Sequence, residues 1–239
     1  MSSTSPWRHL SDSDHDQMAE CLYQAAMAGQ SIDPPSETIL FGLPDAYRIR
    51  RRLVDRHIEN GARPRGHKIE FTSAAVQKMC RLTAPDVGIL LDRMFRLSGA
   101  PIKISGMADT RAEPELAFIL GRPLSGPGAT IADVLAATSK IVAAVEVIDS
   151  RVGAMRVRAN DKLADNAGAG LVVLGALALD PDKIDFGSLW IDFTVDGVRT
   201  AALATEVMGH PAAPLAWLAN KLPELGELGG NLKPGDVVI

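Results

Sequence analysis

The sequence predicts an α+β fold in which two helices precede a series of strands. Two segments near the N-terminus carry apolar residues at helical spacing, whereas several apolar runs after residue 64 are β-branched or alternating and end at turn residues. The chain has 239 residues, which suits one domain of moderate size. We place an N-terminal helical segment at residues 1–62 and a larger unit at residues 63–239.

Composition excludes several classes of protein. The net charge is −4, which argues against general affinity for nucleic acid. Cys21 and Cys80 are too few for a disulfide framework and suit a reducing compartment. Residues 1–16 lack the apolar core of a signal peptide, and the Gly-rich run at 167–179 is too short to cross a bilayer. We therefore expect a cytoplasmic protein without a membrane or nucleic-acid partner.

The first two predicted elements are helices at residues 14–28 and 45–60. Gly29 is a plausible C-cap of the first helix, and Gly61 ends the second. A strand follows at 65–71, and alternation puts Lys68 and Glu70 on one of its faces. The simplest interpretation of these two side chains is a surface ion pair.

A short helix and a buried run come next. Thr72 or Ser73 caps a helix that runs to about Met79. Residues 84–88 read as a turn, because Pro85 and Gly88 interrupt the sequence before the apolar run at 89–91.

Two carboxylates then lie two residues apart at the start of a predicted strand, residues 111–120. Strand alternation puts Glu113 and Glu115 on the same face, where their charges repel unless a cation lies between them. Hard divalent cations such as Mg²⁺ prefer oxygen ligands. The alternative is a solvated edge strand with two surface glutamates.

A third carboxylate interrupts the β-branched strand predicted at 141–149. Glu146 inside such a strand requires a partner, because a buried unpaired charge is costly. One interpretation pairs Glu146 with Arg151 or Arg111. The other joins it to Glu113 and Glu115 in an open octahedral metal site whose remaining positions are left for water or substrate.

The remaining elements follow from local signals. Thr130 and Asp133 form a capping box for a helix that ends near Thr138. Asp196-Gly197 predicts a hairpin between strands at 189–195 and 198–204. We also expect a Gly-rich strand at 170–175, a helix at 213–222 and a last strand at 236–239.

The motifs, taken together, resemble one family: the hydratase/decarboxylase branch of the fumarylacetoacetate hydrolase superfamily. The resemblance runs from about Asp45 to the C-terminus. It rests on the following stretches: Gly66-His67-Lys68-Ile69, Thr72-Ser73, Pro85-Asp86, Glu113-Pro114-Glu115-Leu116-Ala117-Phe118, Glu146-Val147-Ile148-Asp149-Ser150-Arg151, Ala164-Asp165-Asn166-Ala167 and Gly209-His210-Pro211.

The resemblance implies a mixed β-sheet roll around a Mg²⁺ or Mn²⁺ site, usually in a homo-oligomer. The metal would chelate the substrate's C1 carboxylate and C2 oxygen. The implied metal ligands are Glu113, Glu115 and Glu146. The implied catalytic residues are Lys68, Asp86 and Asp165, and the implied substrate contacts are His67, Ser73 and Leu91.

The implied activity is a hydro-lyase reaction of aromatic meta-cleavage catabolism. The enzyme would add water to a 2-hydroxyalka-2,4-dienoate, either 2-hydroxypentadienoate or 2-oxohept-ene-1,7-dioate. One alternative is a 4-oxalocrotonate-type decarboxylase, which would use the same metal-held enolate. Another is a catalytically impaired homologue that serves as a partner subunit of an active one.

Three features depart from the family pattern. Glu70 stands where the family usually has Gly, and it adds an anion on the same strand face as Lys68. Gly168 replaces a Ser that many pentadienoate hydratases and decarboxylases carry. Relatives also continue beyond the sequence at 235–238 with further strands, so we expect an unpaired last strand that favours association.

Overall fold

The computed structural model describes residues 9–80, 82–153, 157–225 and 231–239. Within these ranges the α-helices are α1 (Asp12–Ala28), α2 (Leu43–Glu59), α3 (Ala74–Cys80), α4 (Ile131–Ala137), α5 (Ala159–Ala164) and α6 (Ala213–Leu225). The strands are β1 (Pro64–Glu70), β2 (Asp86–Leu91), β3 (Phe95–Leu97), β4 (Thr110–Leu120), β5 (Thr138–Asp149), β6 (Leu171–Leu179), β7 (Trp190–Val195), β8 (Val198–Leu203) and β9 (Val237–Val238).

The α+β prediction is confirmed. Seven strands form one mixed sheet in the order β2-β1-β9-β4-β5-β6-β3, and β7 pairs with β8 as the predicted separate hairpin. The centre of the large sheet is the long antiparallel pair β4–β5, whose register runs from Thr110↔Asp149 to Leu120↔Thr138. Within the described residues, no helix is both long and apolar enough to span a membrane.

The helix ends follow the local chemistry. α1 begins at a capping box in which the Ser11 hydroxyl accepts from the Asp14 N–H and the Asp14 carboxylate accepts from Ser11. α1 ends at Gly29, whose φ of 63° is left-handed and where a Cβ would lie 2.5 Å from the Gly106 carbonyl oxygen. The Thr130–Asp133 capping box of α4 is present as predicted.

The helices cover the sheet in two groups. α4 and α6 pack against β4 in the largest hydrophobic cluster, around Phe118 and Leu218. α1, α2 and α5 share a second cluster, in which Leu22 and Leu53 lie with Leu163. This second cluster therefore contains residues from both sides of the 62/63 boundary, and that boundary remains a prediction.

Two expectations about strands are wrong. The predicted turn at 84–88 is strand from Asp86 onwards, because Glu70↔Asp86 and Lys68↔Gly88 pair in the β1–β2 ladder. The expected unpaired last strand is paired on both sides. β9 is parallel to β1 and antiparallel to β4, and its two residues are fully buried within the sheet.

Candidate active site

The three predicted carboxylates meet on the central strand pair. Glu113 of β4 lies directly opposite Glu146 of β5 in the ladder, and Glu115 follows two residues along on the same face. One oxygen from each of the three side chains lies within 4.8 Å of the others. Glu146 is buried, Glu115 is half-buried and Glu113 is exposed, so the cluster is accessible to solvent at Glu113.

The crowding of these carboxylates disfavours their ionised forms. Burial, followed by the charges of Glu146 and Glu113, raises the pKa of Glu115 to about 8. Burial also raises the pKa of Glu146 to about 7, although the ammonium of Lys68 opposes the shift. A nearby cation is what would let all three groups ionise together.

The donor set fits a hard divalent cation. All three side chains offer carboxylate oxygen, the ligand that Mg²⁺ prefers. The buried Oε1 of Glu146 accepts no well-aligned hydrogen bond from any described residue, although the Lys68 ammonium lies 2.6 Å away as an ion pair. An under-satisfied buried anion beside two further carboxylates is suited to a metal ion.

Lys68 lies beside Glu146, the buried member of the cluster, and its ammonium is enclosed by protein atoms. Its side chain is 1% exposed, and Nζ donates to Glu70 Oε1 and to the Ala167 carbonyl, both at 2.8 Å. Burial would lower the pKa of Lys68, but the carboxylates of Glu70 and Glu146 outweigh burial and raise the pKa. The predicted Lys68–Glu70 contact therefore exists, but it is a buried ion pair rather than a surface one.

The backbone around Lys68 is shaped for this placement. Gly88 faces Lys68 across the β1–β2 ladder, and a Cβ there would lie 2.9 Å from Lys68 Cγ. Asn166 donates to and accepts from the backbone of Ile89, with both bonds at 2.8 Å. These bonds hold the left-handed backbone of Asn166 and Ala167, which presents the Ala167 carbonyl to Lys68.

The three carboxylates line a cavity of ≈ 370 Å³, a volume suited to a small molecule. Glu70 is also on its wall, together with Gly168 where the family pattern has Ser. Gly168 has a φ of 63°, and a Cβ there would lie 3.0 Å from Ile148 Cγ2. The other polar wall residues are Thr72, Ser73, Asp109, Arg111, Ser150 and Lys162.

Glu70→Gln is expected to raise the affinity of the metal-loaded protein for oxalate by about tenfold. The substitution removes one negative charge from the half-buried wall beside which the oxalate anion would bind, and such a change is worth about 1–2 kcal/mol. Isothermal titration with Mg²⁺ present measures the effect. Unchanged affinity would mean that Lys68 already neutralises Glu70 completely.

Two predicted catalytic carboxylates lie outside the cavity wall. Asp86 accepts from the Tyr47 hydroxyl at 2.8 Å and pairs with the buried guanidinium of Arg50 at 3.6 Å. Asp165 is fully buried and accepts from Arg151 Nε at 2.7 Å and from the Arg151 N–H at 2.8 Å. Both groups are therefore held by buried arginines.

Of the three predicted substrate contacts, one lines the cavity and two do not. Ser73 lines the cavity and its hydroxyl accepts from the Val76 N–H at the start of α3. His67 and Leu91 are buried away from that wall: Leu91 packs with Val54 under α2. Burial, reinforced by the charge of Arg50, lowers the pKa of His67 to about 4, so His67 is neutral at physiological pH.

Of the two interpretations of Glu146, the one that pairs it with an arginine is wrong. Arg151 binds Asp165, and Arg111 is 61% exposed with only a 3.5 Å contact to Asp109. Lys68 takes the place of both arginines. Sequence reasoning missed Lys162 as a wall residue, and its only signal is its position three residues before Asp165.

A mixed sheet that places three carboxylates on the wall of a cavity of this size, with a buried lysine paired to one of them, is typical of a small-molecule enzyme. A family model described as "Fumarylacetoacetate (FAA) hydrolase C-terminal" matches residues 57–239. The chain belongs to this family.

Relatives and solved structures agree with the assignment. The chain is 38% identical to a 2-hydroxypent-2,4-dienoate hydratase of Pseudomonas putida, over 88% of this chain and 96% of that protein. It is 38% identical to a 2-oxo-hept-4-ene-1,7-dioate hydratase of Escherichia coli, over 80% and 73%. The 4-oxalocrotonate decarboxylase from Pseudomonas putida G7, complexed with magnesium and adipate, superposes with a TM-score of 0.90 at 26% identity, over 97% and 88%.

Proposed function

We propose that this protein is a divalent-metal-dependent hydratase that adds water to a 2-hydroxyalka-2,4-dienoate in the catabolism of aromatic compounds. The observation that carries the proposal is the cluster of Glu113, Glu115 and Glu146 on the wall of a small-molecule cavity. The hydratases among its relatives support the reaction type.

In this proposal Glu113, Glu115 and Glu146 hold Mg²⁺ or Mn²⁺. When bound, the ion supplies Lewis-acid stabilisation of negative charge on the substrate's carboxylate and 2-oxygen. Magnesium is supported by the ion in the decarboxylase neighbour, and the all-oxygen donor set suits manganese equally well.

The chain's own residues have separate tasks in the proposal. Lys68 holds Glu146 in place through their 2.6 Å contact. Asp86 lies opposite Glu70 in the β1–β2 ladder and serves as a proton-relay group behind the wall. Asp165 acts through Arg151, which also donates to the Ala169 carbonyl beside the cavity segment 167–168.

A decarboxylase of the oxalocrotonate type is the second candidate, supported by the solved decarboxylase that superposes on this chain with a TM-score of 0.90. Product analysis separates the two. A hydratase converts 2-hydroxypentadienoate to a 4-hydroxy-2-oxo acid without loss of carbon, whereas a decarboxylase releases CO₂ from oxalocrotonate. If metal-loaded protein converts none of 2-hydroxypentadienoate, 2-hydroxyhepta-2,4-diene-1,7-dioate and oxalocrotonate, both candidates are contradicted. That result would favour the impaired homologue, in which the Glu70 carboxylate neutralises Lys68.

Metal affinity is expected to rise with pH between about pH 6 and pH 9, by at least about tenfold. Glu115 and Glu146 have raised pKa values of about 8 and 7 in the metal-free protein, so protons compete with the metal and leave when it binds. Glu113, Lys68 and Glu70 are the other charged groups beside them.

Titration of Mg²⁺ into chelator-stripped protein, in buffers of different ionisation enthalpy, measures both the affinity and the protons released. A flat pH profile without proton release would show that these carboxylates are not the ligands.

We also propose a homo-oligomer in the cytoplasm. Within the described residues, β3 pairs with β6 only at residues 172–174. In the described part of the chain the rest of β6 has no strand on that side, and its Leu177 is 72% exposed. On the β7–β8 hairpin, Trp190 and Val198 are 60% and 69% exposed. Exposed apolar strands of this kind favour a second copy, and sedimentation measures the oligomeric state.

A further inference from the structure

The short helix α5 lies beside the cavity and is fixed at both ends. Asp161 accepts from the N–H of Ser36 at 2.9 Å and from its hydroxyl at 2.6 Å. At the other end Asp165 is bound by Arg151. Asp161 and Asp165 are four residues apart and therefore lie on one side of the helix. Lys162 follows Asp161 in the sequence and lies on a different side, where it lines the cavity.

Lys162 is a half-buried cation without a counter-charge. Among the residues that the structure describes, no carboxylate forms an ion pair with its ammonium. Two other acids on the wall have cationic partners: Glu70 is bound by Lys68, and Asp109 lies 3.5 Å from Arg111. The remaining wall acids are the three carboxylates of the proposed metal site. Partial burial of an unpaired ammonium costs free energy, and an anionic ligand group would recover that cost.

We infer that Lys162 binds a second, terminal carboxylate of the substrate. The inference rests on the proposed function and makes it narrower: the preferred substrate class is a dicarboxylic 2-hydroxydienoate. One carboxylate lies at the Glu113–Glu115–Glu146 cluster, and the other lies at Lys162. A substrate with an uncharged tail would need only the apolar wall residues Ile148 and Val157 and would leave the lysine unpaired.

Position and rigidity support the assignment. Because α5 is held through buried carboxylates, the Lys162 backbone has little freedom to withdraw into solvent. The volume of ≈ 370 Å³ lies within the range of small-molecule sites.

The first test compares kcat/KM for 2-hydroxyhepta-2,4-diene-1,7-dioate with kcat/KM for 2-hydroxypenta-2,4-dienoate. We expect the wild type to prefer the dicarboxylate, and Lys162→Met to lower that preference by about tenfold or more. Lys162→Arg should restore most of the preference, because it keeps the charge. Lys183→Met, at an exposed lysine outside the cavity, is the matched control and should change neither value.

The second test needs no turnover. Competing 2-oxoadipate against 2-oxohexanoate on the Mg²⁺-loaded protein isolates the terminal carboxylate, because the two acids have the same chain length. Tighter binding of 2-oxoadipate by the wild type but not by Lys162→Met supports the inference even if no dienoate is hydrated, a result that would contradict only the proposed function. Equal binding of the two acids by the wild type overturns the inference even if hydration is observed.

Discussion

Glu113→Gln is expected to lower the rate of dienoate hydration by about 10³-fold or more, because loss of a metal ligand removes several kcal/mol of charge stabilisation. Glu113 is the exposed member of the carboxylate cluster, and the amide has nearly the same shape. The fold should therefore be unaffected. Calorimetry of Mg²⁺ binding and the hydration rate, measured on the same preparation, check both parts of the prediction.

The matched control is Glu59→Gln, which changes an exposed glutamate at the end of α2 that does not line the cavity. It should retain metal binding and rate. If Glu113→Gln bound Mg²⁺ as tightly as the wild type, Glu113 would not be a ligand and the cluster would need another explanation. If metal binding were lost but the rate unchanged, the activity would not depend on this site.

Asp165→Ala should destabilise the protein by about 3–5 kcal/mol, the usual cost of leaving one member of a buried ion pair alone. Asp165 is fully buried, and its carboxylate binds both Nε and the backbone N–H of Arg151. For a chain of this length the thermal midpoint should fall by about 10 °C. Thermal and urea unfolding, followed by circular dichroism, measure the change.

The control for this pair is Asp192→Ala, which removes the acid of the exposed ion pair with Arg199 at 2.5 Å. It should leave the thermal midpoint unchanged, since solvent screens surface pairs. A small change in the Asp165 variant would mean that Arg151 finds another partner. If Asp165→Ala stayed stable but lost activity, the residue would act in catalysis directly, as the resemblance implies.

The site could be predicted wherever the signal lay within a single strand. Two glutamates at i and i+2 define one face, and a glutamate inside a β-branched run demands a partner. Glu113, Glu115 and Glu146 were therefore found from sequence, and the β4–β5 ladder brings them together. The hairpin at Asp196-Gly197 was predicted for the same local reason.

Features that depend on packing between distant segments could not be predicted. The partner of Glu146 is Lys68, which lies 78 positions earlier in the chain. No local pattern in the sequence indicates Lys68 as the partner in preference to Arg111 or Arg151. Asp86 reads as part of a turn because Pro85 and Gly88 flank it, yet pairing with Glu70 makes it strand. The position of Lys162 on the cavity wall depends on how α5 packs, which no local pattern encodes.

The direct opposition of Glu113 and Glu146 has a consequence beyond chemistry. The repulsion between these two carboxylates, which face each other in the central strand pair, opposes folding. Under the proposed function, a bound cation attracts both carboxylates and so stabilises the folded protein. Loss of the ion would therefore loosen the middle of the sheet as well as stop turnover. The supply of divalent metal in the cell would then set how long each copy of the protein survives proteolysis.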